Sequence, residues 1–250
     1  MKRYKCIVAY DGTKYSGYQL QPKDITVQEQ IEKVLSKLHK REVKTYASGR
    51  TDAGVHAKGQ VLHFDSELPI AVDKFPRVIN GFLPEDILFV SMEEVHDDFH
   101  ARYDAKGKEY RYFVRYAKER DPFTRNYSYH YRYTLDVDAM REAAEDLIGE
   151  HDFTSFCSLK TATTNRVRTI KSIDILFDGE NLEFRFVGNG FLYNMVRILV
   201  GTLLEIGNGR KAVDSIPEIL AKKDHRAAGK KAPAHGLYLW KVFYEEDFSN

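Results

Sequence analysis

The strongest constraint on this chain is an order of hydrophobic periodicities that occurs twice. Tyr4 to Tyr10 alternates with period two, and Asp11-Gly12-Thr13 closes it with turn chemistry, so it reads as a strand. Thr26-Val-Gln-Glu29 is a capping box. Behind it Val27, Ile31, Val34, Leu35 and Leu38 share one helical face, which predicts a helix to about Lys40. Val43 to Ala47 and Val61 to Phe64 read as two further strands. Ala71, Phe75, Val78, Ile79 and Phe82 then mark a second helix, capped at Asp73 with Pro76 in its first turn, and Ile87 to Val95 is the fourth strand. The order is β-α-β-β-α-β, the split βαβ or ferredoxin-like arrangement.

The same order returns. Glu109 to Tyr116 is extended, with an extra strand expected at Tyr127 to Tyr133. Asp136 caps a helix with Val137, Met140, Ala143, Ala144, Leu147 and Ile148 on its apolar side. Thr169 to Phe177 and Leu182 to Val187 are joined by the hairpin signal Asp178-Gly-Glu-Asn181. A long helix from Gly190 to about Ile206, a short one near Ser215 to Lys222 and a strand from Leu237 to Tyr244 complete the half. The expected class is therefore α+β: two ferredoxin-like halves, 1–100 and 101–250, joined into one extended, mostly antiparallel sheet. The helices pack on one face, with an active-site cleft at the junction. Such a fold decides no activity, since RNA-binding proteins without catalysis also carry tandem units of this kind.

Between the second and third strands lies Ala47-Ser-Gly-Arg-Thr-Asp-Ala-Gly-Val-His-Ala-Lys-Gly-Gln-Val61, which holds three glycines, Gly49, Gly54 and Gly59. Glycine permits positive φ and close backbone approach, so the run specifies a shaped turn. Arg50 and Asp52 stand two apart, and in extended backbone that spacing puts both on one face. The same residues also satisfy a simple Asx-turn with no chemistry attached. From Phe191 to Leu204 the only charge is Arg197, in a segment apolar nearly all round and so expected to be buried. A buried guanidinium without a carboxylate costs about 3–5 kcal/mol. It therefore either pairs with an acid, for which Asp52 is the candidate, or snorkels to the surface.

Composition narrows the classes. With 43% hydrophobic residues the chain can bury a full core, and no segment is long and apolar enough to span a bilayer. The first residues run into a strand without a secretory leader, which suggests a cytoplasmic protein in which Cys6 and Cys157 are small core residues. Net charge is only +1, but cations and aromatics interleave from Arg102 to Arg120, a pattern suited to phosphate contact and base stacking. His96-Asp-Asp-Phe-His100 and the pair His56 and His63 have metal-ligand residue types without an established spacing, so no metal site is expected. No Walker loop or dinucleotide fingerprint is present, and no cofactor is expected.

Gly49 to His56 with Gly59-Gln60-Val61 resembles the signature of the tRNA pseudouridine synthase A family. Further stretches extend the resemblance over most of the chain: Tyr10-Asp-Gly-Thr-Lys-Tyr15, His100-Ala101-Arg102, Lys108-Glu-Tyr-Arg-Tyr112, Asn194 to Gly201 and Ala232-Pro-Ala-His-Gly-Leu-Tyr238. One departure is Tyr18, where many members carry Trp.

The resemblance implies that Asp52 is the catalytic residue, that Arg197 pairs with it, and that Tyr110 is the active-site tyrosine. Arg50 fills the space left by a displaced base or holds a flanking phosphate. Leu237 lies beside the base, and Gly54, His56 and Gln60 join Tyr110 and Leu237 in the substrate-binding set. It also implies a homodimer acting on the 3′ side of the tRNA anticodon stem-loop, without cofactor or metal. The reaction breaks the bond from C1′ to N1 of uridine and joins C1′ to C5. A carboxylate suits that task either as nucleophile at C1′ or as base at C2′. Read from residues alone, a non-catalytic RNA-binding module and a glycosidase-type hydrolase fit equally well.

Overall fold

The computed structural model describes residues 1–158 and 164–245. The chain separates into two compact units: Met1–Lys106 with the closing segment from Tyr238, and Gly107–Leu237. Each is a mixed α+β layer with a mostly antiparallel sheet and few helices.

In the first unit, β1 (Lys2–Tyr10) turns Tyr4, Cys6, Val8 and Tyr10 inward, the period-two pattern its sequence carries. It pairs antiparallel with β3 (His56–Ser66) on one side and β4 (Ile87–Val95) on the other. Arg3 lies directly opposite Asp65 and grips it at two points, 2.8 and 3.0 Å, across that ladder. Helix α1 (Val27–His39) starts where expected, with the Thr26 hydroxyl accepting the Glu29 N–H, and ends at Lys40 in the left-handed region.

Two expectations here needed correction. Only Tyr46–Ala47 of the second strand joins a ladder, as β2, because the N–H groups of Val43 and Thr45 donate instead to Ser36 and Glu32 on α1. Helix α2 (Phe75–Asn80) has no side-chain cap at Asp73. The carbonyl of Ala71 accepts from Lys74 and Phe75, although Pro76 does sit in the first turn.

Strand β3 is longer than its periodicity suggests because a distant segment supplies a partner. β10 (Leu237–Tyr244) runs parallel to it, setting Tyr238 against His56 and Leu239 against Ala57. A Cβ on Gly59 would lie 2.3 Å from the Trp240 carbonyl oxygen, so glycine is required for that approach. The sequence order assigns this last strand to the second half, but it groups with the first unit.

His63, facing β2, stacks on Tyr46 at 5.1 Å and accepts the Ala101 N–H through Nδ1. Burial, with the His100 and Arg3 charges adding to it, lowers its pKa from 6.5 to about 4. The unfolded chain therefore takes up a proton near pH 6.5 that the folded chain refuses until about pH 4, and stability falls as pH drops through that window. Ring-carbon NMR should find His63 neutral down to about pH 4, while the urea midpoint falls between pH 6.5 and 4.

Tyr18 is 2% exposed, and its hydroxyl lies beside Thr45 without a hydrogen bond of good geometry among the described residues. A desolvated, unsatisfied hydroxyl is a cost, so Tyr18→Phe should leave stability unchanged or raise it by about 1 kcal/mol in urea unfolding.

In the second unit, β5 (Ala105–Tyr116), β9 (Asn181–Gly188), β8 (Val167–Phe177) and β7 (Gly149–Asp152) lie in that order, all antiparallel, and β6 (Tyr129–Tyr131) pairs parallel with β5. The β8–β9 hairpin turns as its residues direct. Gly179 has φ +100°, and the Asp178 carboxylate accepts from the Asn181 side-chain amide and from the N–H groups of Asn181 and Glu180, which together lower its pKa to about 2. Asp136 caps α3 (Val137–Glu145) by accepting the Ala139 N–H. α3 packs on β8 and on α4 (Met195–Gly207), which is buried on nearly all sides. A short α5 (Ile216–Lys222) follows. Helix α4 begins at Met195, five residues later than the expected start at Gly190, because Asn194 takes φ +62° and breaks the pattern. Phe191, counted in the helical stripe, packs instead on Tyr110.

Candidate active site

Asp52 sits half-buried in the turn between β2 and β3, and the backbone around it is held from several directions. Tyr18 N–H donates to the Thr51 carbonyl at 3.1 Å, Gly54 N–H to Tyr15 at 3.3 Å, and Val55 N–H back to the Asp52 carbonyl at 3.1 Å. The Thr51 hydroxyl bonds the buried Tyr10 hydroxyl at 2.7 Å. Gly54 has φ +75°, the conformation its place in the motif anticipates, and Gly17, at φ +95°, would push a Cβ to 2.7 Å from the Thr51 carbonyl. A carboxylate on such a turn is preorganised, since the loop has few ways to relax.

The other motif residues divide by exposure. Arg50 is exposed beside Asp52 in sequence. Gln60 is fully buried: its amide donates to the Gly49 carbonyl at 2.9 Å and to the Tyr10 hydroxyl at 3.4 Å, and its oxygen accepts from Ser48 at 2.9 Å. His56, 1% exposed, accepts the Gly12 N–H at 3.0 Å through the Nδ1 that lies 3.1 Å from Asp11, and its ring stacks on Tyr238 at 4.6 Å. These two side chains hold the turn that carries Asp52. Sequence reasoning placed them in the motif but missed Tyr10 and Tyr238, the aromatics against which they lie. Tyr10-Asp-Gly and Leu237-Tyr238 in the matched stretches were the available signal.

In the second unit, Tyr110 is buried in β5 and meets Phe191 edge-on at 5.2 Å. Leu237, also buried, is the first residue of β10. Arg197 is half-buried on α4 and is held at two points: Nε donates to the Ala232 carbonyl at 2.8 Å and Nη1 to the Asn194 side chain at 3.1 Å. Asn194 in turn donates to the Ser158 hydroxyl at 2.8 Å.

The carbonyl of Ala232 reaches α4 because two glycines let the chain pass. A Cβ on Gly201 would stand 1.7 Å from the Lys230 carbonyl oxygen, and one on Gly229 2.6 Å from Thr202 Cα. Hydrogen bonds from Gly229 to Thr202, Lys230 to Glu205 and Ala232 to the Arg197 carbonyl fasten the segment along the helix. Among the described residues no cluster of three His, Cys, Asp or Glu side chains could hold a metal ion. His100, from the candidate metal stretch, uses Nδ1 to accept the N–H groups of Arg102 and Tyr103.

A family model described as tRNA pseudouridine synthase matches residues 6–104 and 143–245, blocks that carry both the Asp52 turn and the Arg197 helix. The chain belongs to that family. As a tRNA pseudouridine synthase family member it is an isomerase. It is 55% identical over 245 residues to tRNA pseudouridine synthase A of Geobacillus sp. (strain WCH70), covering 98% of this chain and 99% of that one. The enzyme of the same name from Listeria monocytogenes serovar 1/2a is 56% identical over 248 residues, 98% of this chain and 100% of that one. Among solved structures, a Cbf5-Nop10-Gar1 complex aligns at a TM-score of 0.39 and 14% identity, covering 97% of this chain and 60% of that one. No helix among the described residues of this synthase is long and apolar enough to cross a membrane.

Proposed function

We propose that this cytoplasmic protein isomerises uridine to pseudouridine on the 3′ side of the tRNA anticodon stem-loop, with Asp52 as the group that acts on the ribose. The observation that carries the assignment of Asp52 is its position: a half-buried carboxylate on a turn fixed by Tyr10, Tyr15, Tyr18 and Gln60. In this reading Asp52 attacks C1′ or deprotonates C2′, the bond to N1 breaks, and the uracil turns to offer C5. The new bond joins C1′ to C5 as the Asp52 carboxylate departs from C1′, or as C2′ regains its proton; the C5 proton leaves and N1 gains one, so atoms balance without oxidant or cofactor.

The remaining roles follow from side-chain chemistry. A base inside a stem costs a few kcal/mol to swing out, and stacking on an aromatic offsets part of that. Tyr110 stacks the base and Leu237 packs beside it. Arg50 fills the vacated space or holds a phosphate. Arg197 supplies the positive charge that keeps Asp52 ionised. Gly54, His56 and Gln60 shape the substrate side of the turn. The working form is a homodimer in which one tRNA touches both subunits.

The deciding experiment incubates the protein with an unmodified tRNA transcript and no added cofactor, then maps pseudouridine. Pseudouridine in the anticodon stem-loop is the expected result. Release of free uracil would make the protein a hydrolase, and binding without product would make it an RNA-binding module.

A further inference from the structure

Beyond the turn and the helix that carry the candidate site, one segment of the second unit has a composition unlike the rest of the chain. Residues 115–133 hold five cations, Arg115, Lys118, Arg120, Arg125 and Arg132, against Glu119 and Asp121, in a protein whose net charge is only +1. The segment lies between the two blocks matched by the family model. It is tied at its base, where Ala117 N–H donates to the Tyr131 carbonyl at 3.2 Å and the His130 ring bonds the Ala117 carbonyl at 2.8 Å. Between those ties the chain makes an ordered excursion, with Thr124 N–H on Asp121, and Tyr127 and Ser128 N–H on Thr124.

The excursion presents aromatic rings to solvent. Phe123 is 87% exposed, and Tyr127 and Tyr133 are more than two-fifths exposed. Below it, Tyr129, Tyr131 and Tyr133 follow one another at 5.8 and 5.5 Å, and the guanidinium groups of Arg132 and Arg210 lie 5.5 and 5.6 Å from the Tyr133 ring. Of the cations, only Arg115 forms an ion pair, with Glu180; Lys118, Arg120, Arg125, Arg132 and Arg210 form none among the described residues.

We propose that this edge, from Lys118 to Tyr133 with Arg210, is a second RNA-binding surface, which takes tRNA phosphates on its cations and an unstacked loop base on Phe123. The proposal rests on tRNA being the substrate. Charge balance decides the class of partner: arginine and aromatic rings also enrich protein interfaces, but an excess of cations over Glu119 and Asp121 would repel a second copy of the same edge, whereas it suits a polyanion whose bases offer π-faces. The surface raises affinity and plays no part in the chemical step.

The test compares Lys118→Gln/Arg120→Gln and, separately, Phe123→Ala with the wild type, measuring tRNA binding directly across a salt series and turnover at saturating tRNA. The double variant should weaken binding about tenfold and reduce the slope of log affinity against log salt by about 1.8, since each lost phosphate contact removes about 0.9. Phe123→Ala should weaken binding about tenfold with the slope unchanged, because stacking releases no counterions. In both, turnover at saturation should match the wild type. Unchanged affinity in both variants overturns the proposal, as does a fall in sedimentation mass showing that the edge joins two copies of this chain. Because binding is read independently of product, an inactive wild type that still shows these shifts would count against the isomerase reading alone.

Discussion

Asp52→Ala should reduce pseudouridine formation by about a thousandfold or more while tRNA binding stays near wild type. The size follows from the role: removal of a carboxylate that forms or breaks a bond at the reacting carbon typically costs at least this much. The tolerance follows from the structure. Asp52 is half-buried, and the contacts that hold its turn run through the Thr51 hydroxyl and through backbone groups. An alanine side chain leaves those bonds in place. Single-turnover assays with mapped product check the first part, and a binding titration checks the second. Activity within tenfold of wild type would remove Asp52 from the chemistry.

Gly201→Ala should be the most damaging single-methyl change on α4. Its Cβ would stand 1.7 Å from the Lys230 carbonyl oxygen and 2.8 Å from the carbonyl carbon, so backbone must move. Forcing a methyl group into a packed interior costs about 1–3 kcal/mol, and a clash with main chain belongs at the upper end. At about 2–4 °C per kcal/mol for a protein of this size, the melting midpoint should fall by roughly 6–12 °C. The displaced segment also carries the Ala232 carbonyl that receives Arg197 Nε. Turnover measured well below the new midpoint should therefore fall as well. A variant that melts lower yet turns over normally would show that the guanidinium does not need this hold.

What could be read from the chain depended on where each backbone group finds its partner. Ile87–Val95 and Leu237–Tyr244 were legible to the residue because alternation and flanking turns are local signals. The Asp178 hairpin was legible because its carboxylate bonds N–H groups two and three residues ahead. Val43 to Thr45 misled because their β-prone side chains accompany N–H groups taken by Ser36 and Glu32, partners no local pattern announces. Gly149–Asp152, only four residues long, carries no period and was missed.

The candidate site was legible in a similar way. The spacing of glycines around Asp52 foretold a shaped turn, and the lone charge of the apolar run from Phe191 to Leu204 singled out Arg197. Neither foretold that Asn194 would leave the helix to hold that guanidinium, or that Tyr238 would cover His56. Those are facts of tertiary packing.

The pairing of β10 with β3 bears on how the protein is made. Tyr238 covers His56, the Trp240 carbonyl fills the space at Gly59, and the Tyr244 hydroxyl donates to the Ala101 carbonyl at 2.6 Å. The first unit thus waits for residues that are synthesised only after the whole of the second unit, although domains synthesised early usually fold early. Until then the nascent chain carries Asp52 on an unfinished sheet, with the flank of β3 open at His56 and Ala57. A chain whose synthesis stops before Leu237 would lack the strand on which its first unit closes.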